Sequence, residues 1–209
     1  MESYIYLIIL CIIISLYIYW KNRENPYNDY IIYIPNFLDK KEYHKLLNSL
    51  KKDNRPYDIN KNGLFKKTIL NQEINNIFYS PKCIQTINEI TNNRVIRSKI
   101  PIEYRMYQLH NGMNWHKDIL LYKKPQYECV YTLKNTSDSQ TEYIDHNGKK
   151  HSQWTEPNSL MIVRADGYYH HVKPVTKGER EILKLVYTQT NKLNPRTIVE
   201  YNQALNGDT

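Results

Sequence analysis

The chain is poor in cysteine and has no pairing pattern for the little it contains: three in 209 residues, one of them, Cys11, inside an apolar run near the N-terminus. Cys83 and Cys129 remain, and neither belongs to a CxxC zinc motif or a disulfide framework. Cysteine usage therefore excludes a small stapled scaffold and leaves the redox compartment open. Internal repeats are absent, which excludes solenoids and propellers. A patch of one charge sign is also lacking. The net charge is +8, but the lysines are scattered along the chain. That sign suits an acidic partner such as nucleic acid or an anionic membrane surface. The scatter, with twenty Tyr and abundant Ile, Asn and Lys, fits the compositional bias of an AT-rich coding sequence better. With 41% hydrophobic and 24% charged residues, wholesale disorder is excluded, and one domain with attachments is expected.

One long hydrophobic run is present. Residues 4–20, YIYLIILCIIISLYIYW, carry no charge and have aromatic residues at both ends. As a helix this run spans about 25 Å, near the lower limit for crossing a hydrocarbon core of about 30 Å. It lacks a basic leading region and a small-residue cleavage site, so it reads as an uncleaved single-pass membrane anchor rather than a signal peptide. Lys21 and Arg23 follow it, which places the body on the cytosolic side. The sequon Asn135-Thr136-Ser137 points the other way, to the lumen of the endoplasmic reticulum. The expected organisation is an anchor over 1–20, a polar linker over 21–30, a folded domain over 31–190 and a polar tail over 191–209.

Within the body, IIYIPNFLD resembles a strand entering a helix, with Asp39 as its cap and Glu42 as the capping-box partner. Tyr43, Leu46, Leu47 and Leu50 fall at helical spacing. Ser80-Pro81 opens a second helix, with Ile84, Ile87 and Ile90 as its buried stripe. From Val95 onward short β-rich runs dominate, and Asn147-Gly148 marks a hairpin between TEYID and KKHSQW. Helices followed by many short strands predict an α+β fold: a jelly roll with flanking helices, preceded by the transmembrane helix.

Two stretches carry chemistry. In NWHKD, His116 and Asp118 stand at i and i+2, which on a strand point to one face. An imidazole and a carboxylate so placed can reach one metal ion. With a second imidazole they form the facial set that leaves the opposite coordination positions open, as non-haem Fe(II) oxygenases require. His110 and His146 sit beside turn residues, and His44 and His151 have no acidic partner at this spacing. In HHVKPVTKGER, residues 170–180, adjacent histidines on a strand face opposite ways, so only one of them turns inward.

Counted from His170, proline falls at +4, glycine at +8 and arginine at +10. This register resembles the C-terminal signature of the 2-oxoglutarate/Fe(II) dioxygenases of the prolyl and lysyl hydroxylase group. NFLDKKE, YQLHNGMNWHKD, VYTLKN and NSLMIVRADGYYH are similar to that family's motifs in the same order, over roughly residues 31–190. The resemblance implies a double-stranded β-helix, with Fe(II), 2-oxoglutarate and O2 and often L-ascorbate as reductant. It assigns His116, Asp118 and His170 to the metal, and His171 to the outside or to a supporting place. It assigns Arg180 to the distal carboxylate of 2-oxoglutarate, which a guanidinium can grip with two hydrogen bonds. The hydroxyls of Tyr107 and Thr132 are further candidates for the cosubstrate. The sequence departs from the family in two places. The glycine pair that often precedes a threonine is missing from SDSQTEY, where Thr141 is the matching residue. On a regular strand Lys184 shares the face of Arg180, an unusual second inward cation that either binds the cosubstrate or is turned out by a bulge.

The implied activity is hydroxylation of a peptidyl residue, with a protein or peptide as partner. Arginine at +10 is similar to lysyl as well as prolyl hydroxylases, whereas collagen-type prolyl enzymes usually carry lysine there. The short domain resembles stand-alone prolyl 4-hydroxylases, which favours proline. A nucleic-acid demethylase of the same superfamily is disfavoured, because its further arginine six residues beyond the cosubstrate arginine is replaced by Val186. A non-catalytic interaction domain is disfavoured by the intact set of His116, Asp118, His170 and Arg180.

Overall fold

A computed structural model describes residues 6, 10–15, 31–59, 64–195 and 197. Strand β1 (Ile32–Ile34) leads into helix α1 (Lys40–Lys51). The Asp39 side chain accepts from the Glu42 backbone N–H, and the Glu42 side chain accepts from that of Asp39, closing the capping box. A short hairpin, β2 (Asp58–Ile59) and β3 (Phe65–Ile69), precedes α2 (Gln72–Phe78) and α3 (Pro81–Thr91). Ser80 caps α3, with Pro81 in its first turn, where the missing N–H costs nothing. Nine strands follow: β4 (Ile96–Arg97), β5 (Ile102–Tyr107), β6 (Met113–His116), β7 (Tyr127–Asn135), β8 (Thr141–Ile144), β9 (Lys150–Gln153), β10 (Ser159–Arg164), β11 (Tyr169–Val172) and β12 (Arg180–Thr188).

These strands form two antiparallel sheets. The larger runs β1-β10-β7-β12-β5-β3-β2, with β4 added beside β12, and the smaller runs β6-β11-β8-β9. The architecture is a sheet-rich α+β fold with a jelly-roll core. Asn147-Gly148 does lie between β8 and β9, where Gly148 adopts φ +76°.

Strand alternation divides the labour of the larger sheet. On β7 and β12 one set of side chains, Tyr127, Cys129, Tyr131 and Leu133 with Leu183, Leu185 and Tyr187, joins the main core. Leu46 of α1, Ile74, Ile77 and Phe78 of α2, and Cys83 and Ile87 of α3 complete that core against the sheet. The alternate set faces the smaller sheet, where the apolar cluster is small: Leu64, Tyr107, Val172, Val175 and Ile182. Burial of apolar surface under the helices thus carries most of the packing, and the space between the sheets is left for polar groups.

The expectation of single-pass membrane localisation is corrected. Among the described residues no helix is long and apolar enough to cross a membrane. Of the run 4–20, only Tyr6 and residues 10–15 are described, and they are helical. The rest of that run and the linker over 21–30 lie outside the described residues.

Candidate metal centre

His116 ends β6, and His170 lies on β11 directly opposite it in the antiparallel register. Their ring centroids are 4.4 Å apart. Asp118 is not on the strand, because β6 stops at His116. A turn of chain brings its carboxylate back instead: Oδ1 lies 3.8 Å from His116 Nε2 and Oδ2 lies 3.7 Å from His170 Nε2. The ligand atoms of the three residues all fall within 4.8 Å of one another. Both nitrogen–oxygen separations are below twice a metal–ligand bond of about 2.1 Å, so one ion can touch both atoms of each pair.

The backbone selects the tautomers. His116 Nδ1 lies 2.7 Å from the Asn114 carbonyl, and His170 Nδ1 lies 2.9 Å from that of Tyr168. A carbonyl oxygen only accepts, so each Nδ1 must carry the hydrogen and donate it. Each Nε2 is left with its lone pair directed towards Asp118, the arrangement a metal-ligating histidine needs. Burial also holds the His170 pKa below its ordinary value, which favours the neutral ring.

The same cavity, about 50 Å³ in volume, is walled by Met113, Val130, Met161, Val163, Val172 and Ile182 and contains Arg180. Arg180 is 2% exposed. No carboxylate among the described residues forms an ion pair with it, and its Nε has no hydrogen-bond partner. Burial pushes its pKa below the usual guanidinium value. A cation desolvated in this way calls for an anion. Its guanidinium carbon lies 6.0 Å from the Tyr107 ring centroid. The donor set and this buried guanidinium without a carboxylate partner together fit a divalent metal with a bound acid.

Glycine at position 178 explains how Arg180 is aimed. Its φ is +72°, and a Cβ there would lie 2.2 Å from the Thr136 carbonyl oxygen. The turn into β12 is therefore open only to glycine, and it sets the register in which Arg180 pairs with Tyr107 on one side and Asn135 on the other.

The remaining candidates separate. Tyr107 lines the cavity with its hydroxyl donating to Met113 Sδ at 3.3 Å. Thr141 also lines it. Thr132 does not; its hydroxyl is engaged 2.9 Å from that of Thr155. His171 points away from the cavity, 2.7 Å from Glu142 and stacked on Trp115 at 4.1 Å. Lys184 faces inward and has partners: Nζ is 3.1 Å from Glu128 Oε2 and 4.0 Å from Asp118 Oδ1. Burial opposes its charge, and the Glu128 and Asp118 carboxylates outweigh that, so its pKa stands above the ordinary value. Sequence reasoning passed over Glu128 and Arg105, which also line the cavity. Alternation along β5 and β7 from Tyr107 and Val130 is the signal that places both on the inner face.

Neither a protein family nor a curated protein matches the chain by sequence. Solved structures do match in fold. A 2OG-Fe(II) oxygenase family oxidoreductase from Burkholderia pseudomallei superposes with a TM-score of 0.68 at 12% identity, covering 78% of this chain and 86% of that one. The α-ketoglutarate-dependent non-haem epimerase SnoN from nogalamycin biosynthesis gives 0.65 at 9% identity, covering 79% and 80%. A Trichoplax adhaerens prolyl hydroxylase, in complex with a hypoxia-inducible-factor peptide fragment, gives 0.62 at 16% identity, covering 80% and 86%. The chain therefore has the fold shared by these 2-oxoglutarate/Fe(II) enzymes. That one fold serves both an epimerase and a hydroxylase, so it does not by itself decide the reaction.

Proposed function

We propose that this protein is an Fe(II)/2-oxoglutarate-dependent dioxygenase that hydroxylates a peptidyl residue, with proline as the favoured target. The observation that carries the reading is the buried Arg180 guanidinium, without a carboxylate partner among the described residues and with Nε unbonded, in the same cavity as the His116, Asp118 and His170 ligand atoms. A triad alone would suit many metals and reactions. A triad sharing a cavity with a buried cation that has no carboxylate partner among the described residues suits a metal-chelating diacid.

In this reading His116, Asp118 and His170 would hold the iron, with both imidazoles kept in the ligating tautomer by the Asn114 and Tyr168 carbonyls. Iron(II) with 2-oxoglutarate and O2 supplies the oxidation of an unactivated C–H bond, with succinate and CO2 as products and ascorbate as reductant. Arg180 would pair with the distal carboxylate of 2-oxoglutarate and so recover the cost of its own desolvation. The Tyr107 hydroxyl would add a hydrogen bond to that cosubstrate. The apolar walls exclude water, which strengthens every charge interaction inside. Thr132 would stand outside this set, because it does not line the cavity and its hydroxyl lies 2.9 Å from that of Thr155. Residues 31–190 would be the unit that carries this activity. Proline is favoured over lysine by the likeness of the short domain to stand-alone prolyl hydroxylases.

The test is succinate formation by the full chain with Fe(II), 2-oxoglutarate and proline- or lysine-containing peptides, followed by mass spectrometry of the peptides. A gain of one oxygen on proline is expected, and Asp118→Ala should remove both succinate and the added oxygen. Succinate formation by Asp118→Ala at the wild-type rate would overturn the metal assignment. Oxygen found on lysine would replace the prolyl target but keep the chemistry.

A further inference from the structure

Lys184 and Glu128 form an ion pair at the wall of the cavity, beside the metal ligands. Glu128 is 3% exposed. Its Oε1 accepts from Gln126 Nε2 at 2.9 Å, and its Oε2 makes no hydrogen bond, with the Lys184 ammonium 3.1 Å away as its ion-pair partner. Gln126, itself fully buried, also ties down the loop that carries Asp118: its Nε2 donates to the Ile119 carbonyl at 2.9 Å, and its Oε1 accepts from the Leu121 N–H at 3.1 Å. The Asp166 N–H bonds the Asp118 carbonyl at 2.9 Å. Gln126, Glu128, Lys184 and Asp118 therefore make one continuous polar chain that ends on a metal-ligand carboxylate.

Glu128 is costly to bury as a charge, and although Lys184 keeps a quarter of its side chain exposed, an apolar residue at 128 would commonly be as stable. Stability alone does not account for the pair. It does, however, bear on a hazard of this site. A facial triad works because three protein ligands leave the opposite positions free. Glu128 is a second carboxylate lining the same cavity. If its free oxygen reached the ion it would fill a position that the cosubstrate needs. The Lys184 ammonium lies between the two carboxylates, in contact with Glu128 and 4.0 Å from Asp118 Oδ1.

We propose that Lys184 is a positioning residue that withholds Glu128 from the metal and steadies Asp118, keeping the centre three-coordinate on the protein side. The proposal rests on the metal assignment above. It predicts effects of opposite sign at the two ends of the pair. Removing the ammonium releases Glu128 as a fourth ligand and makes the site more negative, so a divalent metal binds more tightly. Removing Glu128 leaves Lys184 with Asp118 alone, where it competes with the metal, so binding weakens.

Titration calorimetry with Mn(II) on the metal-free full chain reads this without turnover. Lys184→Met should bind Mn(II) roughly tenfold more tightly, the size of effect that groups behind metal ligands produce. Its Mn(II)-loaded form should take up 2-oxoglutarate more weakly than wild type. Lys184→Arg and the double variant Glu128→Gln/Lys184→Met should return to the wild-type affinity, and Glu128→Ala should bind Mn(II) less tightly. If Lys184→Met does not fold, the Glu128→Ala arm decides, because it leaves no carboxylate unpaired. Unchanged Mn(II) affinity in both Lys184→Met and Glu128→Ala would overturn the proposal. If wild type bound no Mn(II), or bound it equally after His170→Ala, the metal assignment itself would fail and the proposal with it.

Discussion

At the scale of single residues, direction matters more than identity. His170 and His171 are neighbours with opposite fates, one aimed at Asp118 and the other paired with Glu142. His170→Ala should abolish 2-oxoglutarate turnover, whereas His171→Ala should retain most of it. The reverse result in a succinate assay would mean that the strand is read one residue out of register. Arg180→Ala should act chiefly on cosubstrate binding. Leaving one member of a buried charge pair alone costs about 2–5 kcal/mol, so the apparent constant for 2-oxoglutarate should rise at least about tenfold. Arg180→Lys should be milder, because the charge survives without the two-pronged grip. Residues 116, 118, 170 and 180 were legible in the sequence because each is tied to another by a short, fixed spacing. The Gln126, Glu128 and Lys184 chain was not, since its members meet only when β7 and β12 pair. Alternation placed Lys184 on the inner face, but nothing local could name its partner.

At the scale of elements, caps and turns were the readable features. The Asp39–Glu42 box and the Ser80-Pro81 start are interactions within a few residues, so the sequence contains both halves of each. The same holds for the turn between β8 and β9. Helix α2 also has a local cap, the Asn71 side chain accepting from the Glu73 and Ile74 N–H groups, but with only seven residues it shows no helical periodicity, and the two-residue β2 has none either. The strand rule for His116 and Asp118 put both residues on one face for an incomplete reason, because β6 ends at His116 and the following loop returns Asp118. Gly178 is the element-scale test. Gly178→Ala must place a Cβ against the Thr136 carbonyl at positive φ. Backbone strain of this kind costs about 1–3 kcal/mol, and each kcal/mol lowers the melting temperature by roughly 2–4 °C in a chain of this size. The variant should melt earlier and bind 2-oxoglutarate more weakly, because Arg180 follows two residues later. A melting temperature equal to wild type would show that the turn has another conformation open to it.

At the scale of the whole molecule, the larger sheet has two faces with different duties. One is closed by three helices and supplies the main core, and the other is left polar for the site. The supports of both faces depend on ionised carboxylates. Asp39, at the start of α1, is held down to about 2 from an ordinary 3.8, first by the Glu42 N–H and then by Lys82. Asp138 is held down to about 2 by the Thr176 hydroxyl and N–H and the Lys177 N–H, in the connection that leads to Gly178 and Arg180. Both pKa values are lower in the folded chain than in the unfolded one. Their contribution to stability is therefore complete above the ordinary carboxylate value and is lost as pH falls through about 2. The melting temperature of the metal-free protein should accordingly fall between about pH 4 and pH 2. Asp138→Asn should melt earlier than wild type at neutral pH, and its fall across the same acid range should be shallower, because one of the two carboxylates no longer titrates. Parallel melting curves for variant and wild type over that range would mean that Asp138 contributes nothing through its charge, and the hold on the strand that carries Arg180 would have to come from the backbone alone.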